Sequence, residues 1–331
     1  MSTSQDRCYA SAYLEGDLLE LIDGSLWIVK GCVHPGAPIA VPRLVNGKKI
    51  KRASEAFEII ARYYPFFVRY VPELGREAPV VSPSWIRHTQ RFLHYEERIS
   101  SVDSIAHSFM DRVKSIAIEL IKLLHEECGL RCGPTGSLLG GYVGRWSDID
   151  INCVEKRDVL ECLHGLRVKG FLKPLPAKEF IKELPIVSET LSWDDMSKLV
   201  AHRLTQGTFK GLKYTLRIIN CDRIQRFLGP YTYVIKDTHV TFKVMDFDYR
   251  TPSIYGVELL RPALHSPRKT YFITHRVRFT EIPFGSLVIA KGDIMLRNND
   301  VAIVSLDTPN SKVEALLLPP RLKAFLKTQI T

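Results

Sequence analysis

The sequence predicts an α+β fold in which an α/β core, residues 81–255, lies between small β-rich modules at residues 1–80 and 256–331. At both ends of the chain, short apolar runs alternate with turn dipeptides, a pattern typical of β-hairpins. Residues 103–127 instead place apolar side chains three and four positions apart, which indicates an amphipathic helix. These two periodicities, together with a Pro-rich joint at residues 78–83, set the predicted boundaries.

The N-terminal module is predicted to consist of hairpins. Asp23-Gly24 lies between two apolar runs, and Asn46-Gly47 precedes the basic run 48–52. Both dipeptides favour the tight turns of antiparallel hairpins, because Asp, Asn and Gly tolerate positive φ. No catalytic constellation is predicted in this module.

The predicted core alternates helices with strands, and the C-terminal module returns to strands and turns. We predict helices over residues 84–100, 103–127, 156–165 and 192–206, and strands over residues 213–220 and 234–248. In the C-terminal module we predict strands over residues 270–280, 286–290, 293–296 and 301–306, and a short basic helix over residues 321–327. Gly129 is predicted to end the second helix, because glycine accepts the left-handed conformation found there.

One segment of the core, CGPTGSLLGGYVGRWSDIDINC, carries residues that point to a reaction. Asp148 and Asp150 alternate with Ile149 and Ile151. A strand would therefore place both carboxylates on one face and both isoleucines in a core. Two carboxylates at the end of a rigid strand suit divalent cations, which take oxygen ligands.

The Gly136-Ser137 step precedes this pair and is separated from it by residues 138–147. It follows a short apolar strand and is predicted to open a helix. Backbone amides at such a turn bind anions such as a phosphate tail. Cations beside a phosphate-binding turn predict in-line phosphoryl or nucleotidyl transfer.

The pattern of Gly136-Ser137 followed by Asp148-x-Asp150 resembles the signature of the nucleotidyltransferase superfamily typified by DNA polymerase β. The resemblance implies a nucleotidyltransferase-type α/β core in which Asp148 and Asp150 are the catalytic carboxylates and bind two Mg²⁺ ions. It also implies that Gly136 and Ser137 bind the phosphates of a nucleoside triphosphate, and that Arg145 contacts a phosphate. A looser resemblance, which spans most of the chain, is to an archaeal branch of predicted nucleotidyltransferases. It includes the motifs EGD at residues 15–17 and KGCVHP at residues 30–35.

Enzymes of this superfamily usually carry a third carboxylate on a later strand beside the Asp-x-Asp strand. The strand that looks equivalent here, residues 213–220, contains no acid. Either Asp246 or its neighbour Asp248, on the next predicted strand, is therefore predicted to complete the catalytic set, with Asp246 taken as the catalytic residue. Asp222, just past the acid-free strand, is the alternative.

Two functions of different classes fit this pattern. The first is a Mg²⁺-dependent nucleotidyltransferase that moves a nucleoside monophosphate from a triphosphate onto an acceptor, either an RNA end or a protein side chain. The second is a catalytically degenerate nucleic-acid-binding protein on the same scaffold. A weaker third interpretation is an antitoxin-like partner protein.

The charge of the chain favours polyanionic partners. Its 46 Lys and Arg residues against 36 Asp and Glu residues give a formal net charge of +10, so nucleotides and RNA are the expected partners. Basic and aromatic residues alternate in the C-terminal module: Arg261, Arg268, Lys269, Tyr271, Phe272, Arg276, Arg278 and Phe279. That pattern fits a groove that stacks bases, and it fits equally a strand whose aromatic side chains face a core. In the core, basic residues including Lys213 and Arg217 are candidates for contacts with a triphosphate or an acceptor strand.

The seven cysteines lack the spacing of a zinc site and are predicted to be mostly buried thiols. An internal disulfide would be compatible with a hyperthermophilic source. The sequence contains no recognisable signal peptide and no apolar run of membrane-spanning length. A cytoplasmic protein with no membrane partner is therefore expected, and its oligomeric state is left open.

Overall fold

The computed structural model describes residues 13–95, 109–143, 147–155, 157–176, 192–200, 202–264, 269–297, 300–308 and 310–319. This part of the chain is mostly β, with few helices. The predicted fold class, a nucleotidyltransferase-type α/β core with small β-rich modules, is therefore wrong. The β-sheets at the two ends are not small, since they hold five and six strands, and extended pairing replaces part of the predicted helix.

The strands in chain order are β1 (Leu18–Leu21), β2 (Leu26–Val29), β3 (Ala40–Val45), β4 (Lys48–Lys49), β5 (Val68–Val71), β6 (Arg76–Pro79), β7 (Ile86–Gln90), β8 (Arg131–Pro134), β9 (Ile149–Val154), β10 (Gln206–Phe209), β11 (Leu212–Ile219), β12 (Tyr233–Val244), β13 (Arg250–Thr251), β14 (Ser253–Arg261), β15 (Lys269–Thr274), β16 (Leu287–Arg297), β17 (Val301–Ser305) and β18 (Lys312–Leu317). The helices are α1 (Ala53–Tyr63), α2 (Phe109–Cys128), α3 (Gly136–Leu139), α4 (Leu160–Val168), α5 (Trp193–Val200) and α6 (Asp222–Gln225).

Contacts divide the chain into two compact units. Unit 1 holds the described residues of Met1–Arg69, Ala78–Leu175 and Leu204–Arg223, and unit 2 those of Tyr70–Glu77, Pro176–Arg203 and Ile224–Thr331. Both units are assembled from separate stretches of sequence, and each is described here by itself. The sequence-based boundaries near residues 80 and 256 stay predictions.

The first sheet of unit 1 is antiparallel, with strand order β4-β3-β2-β1-β7. The hairpin predicted at Asp23-Gly24 is confirmed, since β1 and β2 pair on either side of it. The core beneath this sheet contains Trp27, Tyr64 and Phe67, and their rings pack edge to face or stacked at centroid distances of 5.0 to 5.9 Å. Burial of large aromatic side chains is the main source of stability here.

The helix predicted over residues 84–100 is wrong in the part that the structure describes, which ends at residue 95. Pro83–Trp85 forms a single 3₁₀ turn, and β7 then pairs with β1. Pro83 pre-sets the φ of a tight turn, and the β-branched Ile86 and Thr89 favour the extended backbone that follows. The apolar spacing in this segment therefore serves sheet pairing rather than a helix.

The second sheet of unit 1 has the strand order β10-β11-β9-β8. β8 and β9 are antiparallel, whereas β9 and β11 are parallel. The long helix predicted before β8 is confirmed over Phe109–Cys128, and its residues Val113, Leu120 and Leu124 are fully buried. The predicted helix at residues 156–165 is found shifted, as α4. The chain thus runs through α2, β8, α3, β9 and α4, and because Pro134 pairs with Ile151, α3 begins beside the start of β9.

Three disulfides form in unit 1, joining Cys32 to Cys221, Cys128 to Cys162, and Cys132 to Cys153. The prediction of buried thiols is therefore wrong for six of the seven cysteines, and Cys8 lies outside the described residues. Spacing could not reveal these pairs, because the partners are 21 to 189 positions apart and meet only in the fold.

Unit 2 is built around a six-stranded sheet with the order β12-β14-β15-β17-β16-β18. β12 also pairs with β16, so that five of these strands close on themselves. The enclosed core contains Phe242, Tyr255, Phe272 and Phe279, each at most 1% exposed. The predicted strands 286–290 and 293–296 are one continuous strand, β16.

None of the helices among the described residues is both long and apolar enough to cross a membrane.

Candidate active site

The two aspartates of the motif lie at the start of β9. Asp148 immediately precedes the strand and Asp150 is its second residue. Ile149 and Ile151 are fully buried, as the alternation predicts, while both aspartates are partly exposed. The two carboxylates therefore share the opposite face of β9, and Asn152, also fully buried, continues that face.

The glycine turn packs directly against this face. Gly136 has a φ of +58°, and a Cβ atom there would lie 3.2 Å from Oδ2 of Asp150. The backbone amide of Thr135 donates to the Asp150 carbonyl oxygen at 3.0 Å. The Ser137 hydroxyl donates to Oγ of Ser147, next to Asp148, at 3.4 Å. Glycine is thus required at position 136 both by its left-handed backbone and by the close approach of a carboxylate.

The four predicted site residues Gly136, Ser137, Asp148 and Asp150 are therefore brought together. The one-turn helix α3 begins at Gly136, as the sequence predicted. Arg145, predicted to contact a phosphate, lies outside the described residues.

The neighbouring strand β11 contributes basic side chains where an acid is expected. β11 runs parallel to β9 with Thr215 beside Asp150. Nζ of Lys213 lies 3.1 Å from Oδ2 of Asp148, with the lysine side chain only 12% exposed. Arg217, two residues farther along, pairs in register with Asn152.

The N-terminal sheet supplies more charge to the same place, which the sequence analysis missed. Glu15 is 1% exposed, accepts a hydrogen bond from the Gly31 amide and forms a 2.9 Å ion pair with Lys30. Electrostatic interactions link Arg43 to Asp150 and Lys49 to Asp148. The motifs at residues 15–17 and 30–35 were recognised in the sequence. Because they are far from the aspartates along the chain, the sequence did not show that they lie beside Asp148 and Asp150.

Close backbone contacts fix the N-terminal segment on β9. Gly16 has a φ of +93°, and a Cβ atom there would lie 1.8 Å from Nδ2 of Asn152, so any side chain would clash. The Asn152 amide donates to the Glu15 carbonyl oxygen at 2.6 Å, and the Thr135 hydroxyl donates to the Gly16 carbonyl oxygen at 2.6 Å. Asp17 accepts hydrogen bonds from the amides of Leu14 and Phe92 at 3.0 and 3.2 Å. Burial nevertheless raises the pKa of Asp17 to about 6.

The two motif carboxyls differ in their electrostatics. Burial raises the pKa of Asp150 to about 6, and the negative charge of Asp148 adds to the rise. Burial also acts to raise the pKa of Asp148, but the adjacent Lys213 ammonium outweighs it and holds that pKa below the usual range. The pair therefore favours one firmly ionised carboxylate and one that loses its proton only near pH 6.

The region formed by Asp148, Asp150, Lys213, Arg43 and Arg217 is called the cleft below. Its two guanidinium groups have no carboxylate within ion-pair distance among the described residues. Arg43 donates only a long 3.4 Å hydrogen bond to the Ile50 carbonyl oxygen, and Arg217 makes no hydrogen bond or ion pair there. Burial lowers the pKa of Arg43, and the positive charge of Arg217 lowers it further. Two like charges held close together and partly buried are the arrangement expected at an anion-binding site.

Asp246, the predicted third carboxylate, lies in unit 2, whereas Asp148 and Asp150 lie in unit 1. β12 ends at Val244, before Asp246, so the acid lies in a turn instead of on a strand. Its Oδ1 accepts a 2.8 Å hydrogen bond from the Gly256 amide. The described residues contain no group of three or more His, Cys, Asp or Glu side chains that could hold a metal ion. The role predicted for Asp246 therefore gains no support.

Some of the aromatic side chains in the basic and aromatic stretch of the C-terminal module pack into the core of unit 2. Phe272 and Phe279 are buried, and Arg276 donates to the Thr308 carbonyl oxygen at 2.9 Å beside Asp307. These two rings are therefore not accessible for base stacking, and Arg268 lies outside the described residues.

The cleft residues fit one Mg²⁺ ion better than two. Mg²⁺ takes few protein carboxylates and completes its octahedron with phosphate oxygens and water. Asp148 and Asp150 satisfy that need for one ion, but Lys213 already occupies one oxygen of Asp148.

Comparison of the chain with protein-family models, curated proteins and solved structures gave no match.

Proposed function

We propose that the cleft of unit 1 binds the phosphate chain of a nucleoside triphosphate and transfers its nucleotidyl group to an acceptor hydroxyl. The observation that carries this proposal is that two guanidiniums, Arg43 and Arg217, lie near the acidic pair Asp148 and Asp150 and have no carboxylate partner among the described residues. Arginines alone would bind any anion, and carboxylates alone would repel one. Their combination suits an anion that arrives with a cation of its own, as a nucleoside triphosphate does.

The chain's residues take distinct parts in this proposal. Arg43 and Arg217 bind phosphate oxygens, because a planar guanidinium offers paired donors that match them. Lys30 is held by Glu15 and adds positive charge nearby. Asp148 and Asp150 would hold one Mg²⁺ ion, which when bound neutralises phosphate charge and polarises the phosphoryl oxygens.

In the proposed reaction, the acceptor oxygen forms a bond to the α-phosphorus. The bond from that phosphorus to the bridging oxygen of the β-phosphate breaks, and pyrophosphate leaves with the electron pair. The acceptor proton passes to water. Arg43 and Arg217 stabilise the charge that develops on the transferred and leaving phosphates.

RNA ends and protein side chains remain the proposed acceptors, and the cytoplasm the proposed location. The three disulfides restrict this location to cells in which intracellular proteins carry disulfides, such as hyperthermophilic archaea. An archaeal source is thus part of the proposal.

Titration calorimetry with each of the four nucleoside triphosphates and Mg²⁺ tests the binding step. We expect at least one triphosphate to bind. Removal of either guanidinium, by Arg43→Met or Arg217→Met, should lower its affinity by about tenfold or more, the usual effect of losing a charged hydrogen bond. Arg87→Met is the matched control, because Arg87 is 69% exposed and pairs with Glu20 on the N-terminal sheet. Equal losses in all three variants would contradict the proposal.

Transfer is tested with α-³²P-labelled triphosphates incubated with total cellular RNA and protein. Label should enter one acceptor class in the presence of Mg²⁺, and Asp150→Asn should abolish the incorporation. Tight triphosphate binding without any incorporation would reject the transfer step.

A second candidate, a nucleic-acid-binding protein without catalysis, is favoured by one observation. The described residues place Lys213 and not a third acid beside Asp148. On this interpretation, RNA binding would be indifferent both to Mg²⁺ and to Asp148→Asn. On the first interpretation both changes would weaken nucleotide binding.

A further inference from the structure

The Lys213–Asp148 ion pair lies where the chemistry of the cleft would otherwise need a second metal ion. Nζ of Lys213 is within hydrogen-bond distance of Oδ2 of Asp148, at 3.1 Å. At that distance the ammonium uses the carboxylate lone pairs that a cation would take. The lysine is also the less exposed partner, at 12% against 32% for the aspartate side chain.

The fold holds this lysine in place. Lys213 precedes Tyr214, which lies opposite Ile149 in the parallel pairing of β11 with β9, so Lys213 falls beside Asp148. Tyr214 is fully buried, and its hydroxyl donates to the Leu204 carbonyl oxygen at 3.1 Å. The backbone at Lys213 is therefore fixed by core packing on one side and by strand pairing on the other.

The count of charges in the cleft argues against two metal ions. Asp148 and Asp150 supply two negative charges, and the described residues add no third acid to form a metal-holding group with them. Lys213 cancels one of these charges at close range, and Arg217 lies on the same strand face. A second doubly charged cation at Asp148 would meet an ammonium at contact distance, which is repulsive at any protein dielectric.

We propose that the Lys213 ammonium takes the place of the second cation at the Asp148 carboxylate, so that Asp148 and Asp150 together hold a single Mg²⁺ ion. This inference rests on the proposed function for the nucleotide, but the displacement of a metal ion by Lys213 does not require the nucleotide. Lys213 is a positioning residue here, since it acts on Asp148.

The test counts Mn²⁺, a spectroscopic substitute for Mg²⁺, by electron paramagnetic resonance. Titrations are made with the ion alone and with the ion plus α,β-methylene-ATP. The wild-type protein should bind one Mn²⁺ at the cleft in the presence of the nucleotide. Lys213→Met should bind a second ion, and its Mn²⁺ affinity without nucleotide should rise by about tenfold or more, because the repelling charge is gone.

Two further variants separate charge from structure. Lys213→Arg keeps the charge and should keep one ion. Lys210→Met removes a lysine of the same hairpin that pairs with Glu119 and is 53% exposed, so it should leave the count unchanged. Circular dichroism confirms that each variant is folded.

The outcomes separate this inference from the proposed function. If no triphosphate binds, the proposed function fails, and the titration with Mn²⁺ alone still decides the role of Lys213. Two ions of similar affinity in the wild-type protein would overturn the inference. An unchanged Mn²⁺ affinity in folded Lys213→Met would overturn it as well.

Discussion

The chain contains two Asp-x-Asp segments of identical spacing, at residues 148–150 in unit 1 and 246–248 in unit 2, and they differ in how far backbone amides satisfy their acids. In unit 2 the acids accept hydrogen bonds from backbone amides. Asp248 is fully buried and accepts hydrogen bonds from the amides of Ile254 at 2.7 Å and Arg250 at 3.3 Å, and Nη1 of Arg250 lies 3.5 Å from its Oδ1. In unit 1, Asp148 instead forms a 3.1 Å ion pair with the side chain of Lys213.

The difference separates a structural aspartate pair from a candidate site. A backbone amide is fixed by the fold, so an acid that binds amides closes a turn and has little capacity left for a ligand. A cationic side chain carries a net charge that can be shared with an incoming anion, and its partner carboxylate can be shared with an incoming cation. The surroundings of a carboxylate, rather than its spacing, therefore indicate its role. Variants of Asp248, Asp150, Gly136 and Asp246 test this conclusion.

The largest effect is expected from Asp248→Ala. It would leave two amides without their carboxylate acceptor at a buried position, and each unsatisfied group costs about 1–3 kcal/mol. We expect the free energy of unfolding to fall by about 3 kcal/mol in urea titrations, with nucleotide binding by the folded protein unchanged. A loss of stability below about 1 kcal/mol would show that Asp248 is not a structural acid.

The second effect has the opposite sign. Asp150→Asn should raise the free energy of unfolding at pH 7 by about 2 kcal/mol in the absence of metal, because it removes a carboxylate that is ionised against the cost of burial. The estimate discounts the full pKa shift, since Asp150 is partly exposed. Thermal denaturation measures this gain, and the same variant should lose Mg²⁺-dependent nucleotide binding.

The pH dependence follows from the raised pKa of Asp150. A carboxyl with an unfolded pKa of 3.8 and a folded pKa of about 6 favours folding below pH 4, and this contribution is lost as the pH rises through 6. Asp17, also with a pKa of about 6, acts in the same direction. The wild-type protein should therefore lose more stability between pH 4 and pH 7 than Asp150→Asn does. Parallel curves for the two proteins would contradict the assignment.

A third, smaller effect tests the turn above Asp150. Gly136→Ala forces an alanine into a left-handed backbone, which costs about 1 kcal/mol, and brings its Cβ within 3.2 Å of the carboxylate. Gly141→Ala is the control, because Gly141 has a φ of +72° but nothing within 4 Å of its Cβ position. Both variants should lose similar stability, and only Gly136→Ala should also weaken nucleotide binding. Equal binding by the two would remove the turn from the site.

The motif half of the site could be predicted from the sequence because its parts are local. Gly136 begins the turn that follows β8, Asp150 lies on the adjacent strand β9, and one short connection joins them. A period of two then fixes the face of the strand. The same locality made the long helix before β8 and the hairpin at Asp23-Gly24 predictable. In each case the pattern and the structure involve the same few residues.

The N-terminal members of the basic half could not be predicted, because their position depends on which distant segments pair. Arg43 reaches the cleft through the docking of Gly16 on Asn152, a contact between residues 136 positions apart. Lys213 and Arg217 were already candidates for phosphate contacts from the sequence, and the parallel pairing of β11 with β9 brings them beside the acidic pair. The fold class failed for the same reason, since residues 84–95 join a sheet whose other strands precede them by many residues. A propensity that favours a helix locally was overridden by an available sheet edge.

The smallest effect is expected from Asp246→Asn, and it decides between the sequence-based and the structure-based interpretation of this acid. If Asp246 closes a turn by accepting from the Gly256 amide, an asparagine oxygen can accept the same hydrogen bond. The change should then alter the free energy of unfolding by less than about 0.5 kcal/mol, a typical value for an exposed substitution. It should also leave the Mn²⁺ count and nucleotidyl transfer at wild-type values. If Asp246 is instead the third catalytic carboxylate, transfer should fall by orders of magnitude while stability is kept, as expected for Asp148→Asn. Measured side by side, Asp246→Asn and Asp148→Asn compare the two Asp-x-Asp segments by their effect on nucleotidyl transfer. Equal losses of transfer in the two variants would show that the surroundings of an aspartate do not determine whether it is catalytic.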